Sequence, residues 1–345
     1  MMKRRQREIV VITGASAGIG RAAAREFASH GATVALLARD QERLDAARAE
    51  VELLGGKALA IPLDMADAAQ VEAAAARIEH EIGPIDIWVN NAMSTILAPV
   101  DKIDPADFRR VTDVTYHGVV WGTMAALKRM RPRNRGTIVQ VGSALAYRSI
   151  PLQSPYCGAK HAIKGFTQSV RTELLHEKSR IHLAIVDMPG VNTPQFDWCR
   201  TTLDRHPKPM GAYYQPEVAA RAVYWAAHSR RPEIYVGMPA AAAIIAEKFA
   251  PRLLDWYLAR TGFRGQETGE AIDAPRPGNL WAPVPGPYAA HGAFDGGARR
   301  HSAQLWASMH RDWLLAGGLA LGMALGLRSW RGQRAAGNGR SHATR

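Results

Sequence analysis

The stretch IVVITGASAGIG, residues 9–20, decides the fold. A run rich in β-branched residues, which favours a strand, leads directly into a turn with Gly14, Gly18 and Gly20, and residues 21–30 have a helical composition. Glycines permit a tight turn and let the backbone approach a pyrophosphate, while the first N–H groups of the helix attract an anion. Three glycines alone are a weak signal, but this strand–turn–helix context predicts a dinucleotide-binding site.

Outward from this turn, short β-rich runs alternate with helical stretches. The predicted strands are residues 9–12, 34–37, 58–63, 85–90, 137–141, 181–186 and 233–236. Several are almost continuously apolar, which is typical of a parallel sheet covered on both faces. The alternation predicts an α/β fold, a doubly wound Rossmann-type parallel sheet of seven strands with helices on both faces.

The composition changes after about residue 240 of the 345-residue chain. Residues 1–240 are predicted to form the Rossmann-type domain. Residues 241–310 are predicted to form a C-terminal helical and irregular extension, in which Pro251 breaks a helix and Gly and Pro disfavour regular structure beyond residue 262. Residues 311–330 are predicted as an apolar helix, and residues 331–345 as a basic, disordered tail.

Charge and cysteine content exclude some classes of function. The formal net charge is +13, but most of the excess lies in residues 1–8 and 299–345, so the body lacks the basic groove that nucleic-acid binding requires. Cys157 and Cys199 are too few for a disulfide framework and form no metal-ligand cluster, so we expect a reducing compartment and no metal. The short apolar run after the basic N-terminus predicts no export signal, hence a cytoplasmic location.

The end of the second predicted strand bears on the choice of cofactor. An acidic residue there would bind the 2′-hydroxyl of NAD, whereas an arginine accommodates the 2′-phosphate of NADP. Ala38 offers no carboxylate, and Arg39 offers a bidentate phosphate partner, although it could be a solvated surface charge. Asp40 could serve the hydroxyl or simply pair with Arg43. The sequence favours NADP(H) over NAD(H).

Tyr156 and Lys160 stand four residues apart, so on a helix they share one face. A neighbouring ammonium favours the phenolate and brings a tyrosine toward acid/base use. Ser143 follows the predicted strand 137–141 and is expected at the carboxyl edge of the sheet, where open α/β proteins bind ligands. Such Tyr–Lys pairs are common on ordinary helices, but together with the glycine turn and Ser143 they predict a catalytic site.

Taken together, these motifs resemble those of the short-chain dehydrogenase/reductase family. The resemblance covers roughly residues 7–240, and its matching elements are residues 13–20, Asp64, Asn90, Asn91, Ala92, Ser143, Tyr156, Lys160 and residues 189–193. It implies an oxidoreductase that interconverts a carbonyl and an alcohol by hydride transfer with a nicotinamide cofactor. Relatives are often dimers or tetramers, so we also expect a homo-oligomer.

The resemblance implies a role for each matching residue. Tyr156 would be the general acid/base, Lys160 would hold the nicotinamide ribose and lower the tyrosine pKa, and Ser143 would polarise the substrate oxygen. Asp64 would contact the adenine, and Asn91 would line the adenosine ribose side. The remaining implied cofactor contacts are Gly14, Ser16, Gly18, Ile19, Gly20, Pro189, Gly190, Val191 and Thr193.

Two positions depart from the family pattern. Met93 stands where the family has a glycine, so its side chain is expected to shift the loop or narrow the site. Thr115 stands where many relatives carry an asparagine whose backbone carbonyl holds a water bonded to the lysine. Threonine keeps the backbone carbonyl that would hold this water but lacks the amide side chain of asparagine. Thr115 is therefore left out of the predicted catalytic set.

The sequence leaves two interpretations open for the substrate-side segment and two for the apolar run near the C-terminus. Residues 194–214 should form the substrate-side segment, and their bulky side chains indicate either an apolar substrate or core packing under a lid: Phe196, Trp198, Met210, Tyr213 and Tyr214. Residues 314–327 are uncharged and flanked by Trp313 and Trp330, which predicts either membrane contact through residues 311–345 or a packed helix. A non-catalytic nucleotide sensor or a membrane-associated protein with this fold is the alternative function.

Overall fold

The computed structural model describes residues 7–272, 276–314 and 323. Its strands are β1 (Ile9–Thr13), β2 (Thr33–Ala38), β3 (Lys57–Pro62), β4 (Ile87–Asn90), β5 (Ile96–Leu97), β6 (Thr137–Ser143), β7 (His182–Met188), β8 (Gly190–Val191), β9 (Arg200–Thr201), β10 (Arg205–Pro207), β11 (Tyr213–Tyr214), β12 (Glu233–Tyr235) and β13 (Glu267–Ala271). Its α-helices are α1 (Gly18–Ser29), α2 (Gln41–Leu53), α3 (Ala68–Glu81), α4 (Pro105–Thr112), α5 (Gly118–Met130), α6 (Ser154–His176), α7 (Gln195–Trp198), α8 (Pro216–His228), α9 (Met238–Phe249), α10 (Pro251–Thr261) and α11 (Ala303–Met309).

Within the described residues, seven parallel strands form the central sheet in the order β12-β7-β6-β4-β1-β2-β3. The chain moves outward from β1 in one direction and then returns to β4 on its other side, which creates a switch point between these two strands. The predicted doubly wound sheet and its seven strands are confirmed. The carboxyl ends of β1 and β4 meet at this point, which positions the site described below.

The strands lie in the core because both of their faces are covered. Every residue of β1 and β2 is buried. On one face, α3, α5 and α6 pack their apolar sides against the sheet around the fully buried Trp88. On the other, α1 and α8 pack together, with the rings of Phe27 and Tyr224 in edge contact at 5.2 Å. The near-continuous apolar character of the strands thus reflects burial on both faces.

The C-terminal extension is more ordered than its composition indicates. As predicted, the helix breaks at Pro251, where α9 ends and α10 begins. The prediction of irregular chain beyond residue 262 missed β13, a largely exposed strand that pairs antiparallel with β10. Its composition, Glu-Thr-Gly-Glu-Ala, carries little strand propensity, so the pairing with a distant segment decides its conformation.

The chain divides into two compact units, one up to Ser302 and one from Ala303 onward. The domain boundaries proposed from composition stay a prediction. Of the predicted apolar helix over 311–330, only residues 311–314 and 323 are described, and the basic tail 331–345 lies outside the described residues. Among the residues that the structure does describe, no helix has the length and apolar character needed to cross a bilayer.

Candidate active site

The glycine turn lies at the switch point of the sheet and has the backbone geometry that glycine allows. Gly14 and Gly18 have φ values of +67° and +56°, in the left-handed region that disfavours other residues. A Cβ atom on Gly14 would approach the Cα of Ala92 to 2.8 Å, and one on Gly20 would approach the carbonyl oxygen of Gly14 to 2.2 Å. Gly20 therefore lies against the back of the turn and lets helix α1 start close to β1.

A cleft opens in front of this turn, and we call it the glycine-turn cleft. It brings together most of the residues predicted to bind the cofactor: Gly14, Ser16, Gly18, Ile19, Arg39, Asp64, Asn91 and Thr193. Pro189, Gly190 and Val191 line the adjoining cavity instead. Sequence reasoning missed several other lining residues, among them Trp198, Asn279 and Pro283, which approach from distant parts of the chain.

Asn91 fastens the turn to the neighbouring strand. Its side-chain amide donates to the carbonyl oxygens of Thr13 and Gly14, at 3.0 and 3.3 Å, and the hydroxyl of Thr13 accepts from the backbone N–H groups of Asn91 and Ala92. These bonds join the ends of β1 and β4. The Asn91 amide thus holds the shape of the glycine-turn cleft that it lines.

Charged residues crowd the end of the cleft next to β2. Arg39 donates to the main-chain carbonyl oxygens of Asn279 and Leu280, so it is not the solvated surface charge considered from sequence. Asp64 forms an ion pair with Arg110, whose guanidinium also donates to the carbonyl oxygen of Leu280. Burial lowers the pKa of Arg39, and the nearby Asp64 opposes that shift.

Arg43 presents unused hydrogen-bond donors at this same end. Its Nη2 atom pairs with Asp40 at 2.7 Å, and Asp40 also caps helix α2, so pairing is the role that the structure gives this carboxylate. Arg43 is only 8% exposed, yet its Nε and Nη1 atoms have no hydrogen-bond partner among the described residues. Its guanidinium lies 5.0 Å from the ring of Trp198 and 5.8 Å from that of Tyr288.

Residues 276–299, which we call the strap, run along the glycine-turn cleft. The carbonyl oxygen of Ala289 accepts from the N–H of Gly18 at 3.0 Å, at the start of helix α1. At the other end, the side chain of Asn192 accepts from the N–H of Phe294 and donates to Asp295 at 2.8 Å. The strap therefore contacts both the glycine turn and the loop after β7, and sequence reasoning gave no sign of it.

Ser143, Tyr156 and Lys160 meet as predicted. Ser143 ends β6, while Tyr156 and Lys160 lie in the first two turns of α6, and all three line one cavity of about 580 Å³, the Tyr156 cavity. The ammonium of Lys160 lies 5.4 Å from the ring centroid of Tyr156 and donates to the carbonyl oxygen of Val141 at 2.6 Å. The Ser143 hydroxyl accepts from the N–H of Leu145 at 3.1 Å.

Burial dominates the ionisation of these groups. It raises the pKa of Tyr156 above its usual value, and the hydrogen bond with Ser143 only partly opposes the shift. Burial also lowers the pKa of Lys160 to about 8, against the opposing influence of Asp187. The family resemblance implies that Lys160 lowers the pKa of Tyr156. In this structure, burial of the phenol is the larger influence and raises that pKa.

Asp187 is a buried carboxylate in contact with Ser143, and no motif in the sequence pointed to it. It accepts from the N–H of Ser143 at 3.1 Å and from the hydroxyl of Tyr147 at 3.0 Å. Burial raises its pKa to about 7, with the hydrogen bond from Tyr147 opposing and the charge of Glu233 adding to the shift. Its signal in the sequence is one acidic residue inside the apolar strand LAIVDM.

The two departures from the family pattern have clear positions. Met93 lines both the glycine-turn cleft and the Tyr156 cavity, so its side chain stands at their junction. The buried hydroxyl of Thr115 donates to the carbonyl oxygen of Ser94 and accepts from its N–H, both at 3.0 Å. Thr115 lies in a π-helical turn over Asp113–His117, so it fastens the loop after β4 to this wider turn.

Most of the Tyr156 cavity wall is apolar. Of the bulky residues predicted on the substrate side, Phe196 and Met210 line it, whereas Trp198 lines the glycine-turn cleft. Tyr213 packs against Phe294 with ring centroids 6.2 Å apart and belongs to neither. The other apolar wall comes from α9 and α10, which sequence reasoning left unassigned: Pro239, Ala240, Ala242, Ala243, Ala246, Leu254, Tyr257 and Leu258.

Comparisons with known proteins agree with this architecture. The family model described as short chain dehydrogenase matches residues 8–202. An uncharacterized oxidoreductase, YxnA of Bacillus subtilis (strain 168), is 31% identical over 280 residues, which make up 81% of this chain and 77% of that protein. The fatty acyl-CoA reductase of Acinetobacter baylyi is 32% identical over 189 residues, 54% of this chain and 63% of that protein.

Among solved structures, that of a metagenomic short-chain oxidoreductase in complex with NADP is similar with a TM-score of 0.57 and 26% sequence identity. The match covers 66% of this chain and 96% of that one. The family resemblance inferred from the motifs is thereby confirmed. The chain belongs to the short-chain dehydrogenase family and is an NAD(P)-dependent oxidoreductase.

Proposed function

We propose that this enzyme interconverts a carbonyl and an alcohol with NADP(H), using Ser143, Tyr156 and Lys160. One observation carries the proposal: these three side chains line a cavity that joins the glycine-turn cleft. Ile19, Met93 and Thr193 line both spaces. A dinucleotide held at the glycine turn would therefore extend its nicotinamide end toward the three side chains.

The described residues fit a dinucleotide phosphate. Gly14 and Gly18 have the positive φ values that shape the turn, and the N-terminus of α1 favours an anion. Buried polar atoms without hydrogen-bond partners among the described residues, Nε and Nη1 of Arg43 and Oδ1 of Asn279, belong to residues that line the same cleft. Buried polar atoms are normally hydrogen-bonded, so orphans that share a cleft indicate a polar ligand.

When bound, the cofactor supplies or accepts the hydride. Tyr156 would give a proton to the carbonyl oxygen during reduction and take it back during oxidation. Ser143 would hold that oxygen by a hydrogen bond and so orient the substrate. Lys160, with its pKa lowered to about 8 by burial, is charged at neutral pH and would stabilise negative charge on the phenol oxygen.

The preference for NADP(H) rests on the cationic end of the glycine-turn cleft. Arg39 and Arg43 both line it, and Asp40, the carboxylate that could have bound a ribose hydroxyl, is paired with Arg43. Arg43 keeps its Nε and Nη1 donors without a partner there, where they could bind a phosphate oxygen. The NADP in the related metagenomic structure is consistent with this preference.

The apolar wall of the Tyr156 cavity supports an apolar substrate. The name of the Acinetobacter baylyi relative, a fatty acyl-CoA reductase, is in line with that choice. Homo-oligomerisation, a cytoplasmic location and membrane contact through residues 311–345 stay predictions from the sequence.

Oxidation of NADPH in the presence of a panel of carbonyl compounds tests the proposal. We expect turnover with some apolar aldehydes or ketones, at a higher kcat/KM with NADPH than with NADH. A non-catalytic nucleotide sensor, the alternative function, would bind NADPH tightly and oxidise it with none of the compounds. Turnover with a clear preference for NADH would overturn the cofactor assignment alone.

A further inference from the structure

Helices α9 and α10 expose large apolar side chains on one side each. On α9, Ile245 and Phe249 are 57% and 83% exposed, and on α10, Leu253 and Trp256 are 63% and 55% exposed. Their spacing of three or four residues within each helix places each pair on one helical face. We call this surface the α9–α10 face. Scattered exposed apolar residues are ordinary, but four large ones on two consecutive helices indicate an interaction site.

Neighbouring sides of the same helices form a wall of the Tyr156 cavity. Ala240, Ala246 and Leu258 face that cavity from within. Ala242 and Tyr257 both line it and are exposed, so the cavity reaches the surface beside the α9–α10 face. An apolar molecule on this surface would have a short apolar route to Ser143, Tyr156 and Lys160.

The charges on this surface are mostly positive. Lys248, Arg252 and Arg260 are exposed on the two helices, and the guanidinium of Arg260 lies 3.8 Å from the ring centroid of Trp256. The only two acidic residues of α9 and α10, Glu247 and Asp255, are both paired with Arg148. The α9–α10 face therefore combines apolar, aromatic and cationic side chains, as helices lying in a membrane interface do.

A second copy of this chain fits the surface less well. A two-fold dimer formed through this face would bring the cations of both copies into one interface, where α9 and α10 supply no unpaired carboxylate to neutralise them. An anionic lipid surface would instead neutralise them, since basic residues next to a membrane are attracted to anionic lipids. The charge distribution thus selects a lipid surface as the occupant.

We propose that the α9–α10 face docks onto an anionic lipid surface and that a lipid-soluble carbonyl or alcohol substrate enters the Tyr156 cavity there. The docking depends only on this surface, whereas the entry of substrate rests on the proposed function. This contact is separate from any made by residues 311–345, because it belongs to the unit that carries the catalytic residues.

Co-sedimentation with vesicles tests the docking on the full chain. The probes are vesicles of phosphatidylcholine with and without phosphatidylglycerol, and the variant is Phe249→Gln with Leu253→Gln. We expect the wild type to prefer the anionic vesicles and the variant to bind them at least about tenfold more weakly, because two large apolar side chains no longer insert. The control is Leu53→Gln with Leu175→Gln, which changes two exposed leucines elsewhere and should leave binding intact.

A second measurement links docking to the substrate. With a long-chain aldehyde presented in the anionic vesicles, the double variant should show a higher KM, while its kinetics with a water-soluble carbonyl compound should match those of the wild type. Binding of the variant equal to that of the control would overturn the proposal, as would conversion of a wild-type dimer to a monomer by the variant without loss of vesicle binding. Vesicle binding without turnover of any substrate would instead refute the proposed function.

Discussion

The two sides of the active-site region are built in different ways. On the cofactor side, the glycine turn and its support come from the ends of neighbouring strands: β1 runs into the turn, and Asn91 follows β4 and fastens it. The substrate side, by contrast, is assembled from α9, α10 and loops far apart in the sequence. The family model ends at residue 202, before α9 and α10 begin. The family match therefore covers the glycine turn, Ser143, Tyr156 and Lys160, but not the wall that α9 and α10 supply.

The largest expected effect is the loss of turnover when Tyr156, which lies between the cofactor side and the substrate side, is replaced. Tyr156→Phe keeps the ring and removes the transferable proton, so we expect kcat to fall at least about 100-fold, the scale of acid/base catalysis. The affinity for NADPH, measured by nucleotide fluorescence, should be nearly unchanged. Tyr213→Phe is the matched control, because Tyr213 lines neither the cleft nor the cavity. Near-normal turnover in Tyr156→Phe would refute the role.

The next largest effect concerns how the cationic end of the glycine-turn cleft recognises the 2′-phosphate of NADPH. Arg43→Ala removes the free donors at the cationic end of the cleft, so we expect the Kd for NADPH to rise at least about tenfold and that for NADH to change less. Arg39→Ala should likewise raise the Kd for NADPH more than the Kd for NADH. Arg48→Ala, which removes an exposed arginine paired with Asp45, serves as control. An equal rise in the Kd values for NADPH and NADH would contradict recognition of the 2′-phosphate by Arg43.

A smaller effect, on the rate of NADPH dissociation, is expected from loosening the strap. The carboxylate of Asp295 accepts from the side chains of Asn192 and Gln215, at 2.8 and 2.9 Å, and so ties the strap to the loop after β7. Because Asp295 is largely exposed, we expect Asp295→Ala to speed NADPH dissociation only about two- to fivefold in stopped-flow fluorescence. Asp101→Ala should have no effect. An unchanged dissociation rate in Asp295→Ala would show that the strap does not restrain the cofactor.

The smallest expected effect is on stability and concerns Asp187. Its pKa is raised from 3.8 to about 7, so the folded state binds this proton more tightly than the unfolded state. The contribution of Asp187 to the free energy of unfolding therefore falls as the pH rises from about 4 to about 7. We expect Asp187→Asn to lose this part of the pH dependence of Tm in thermal scans. The same slope in wild type and variant would contradict the raised pKa.

Local patterns predicted much of this molecule. Several strands of the central sheet are nearly continuous apolar runs, and the glycine turn, Tyr156 and Lys160 are each defined by neighbours in the sequence. Ser143 follows from its place at the end of a strand. The break at Pro251 also needed only local information, since proline lacks the N–H that a helix interior requires.

What was missed depends on contacts between distant residues. Arg43 gains its significance from Trp198 and Tyr288, which pack around its guanidinium. The pKa of Tyr156 is set by burial, which no local pattern reports, and the strand β13 forms only because β10 lies beside it. These features are properties of the folded surroundings rather than of sequence spacing.

Deuteride transfer tests the central claim most directly. The enzyme is incubated with NADPH carrying deuterium at the reactive C4 position and with an apolar aldehyde that supports turnover, and the product is examined by mass spectrometry. The account predicts a deuterium-labelled alcohol from the wild type and almost none from Tyr156→Phe at equal NADPH occupancy. An unlabelled alcohol from the wild type, or equal labelling by both proteins, would contradict it.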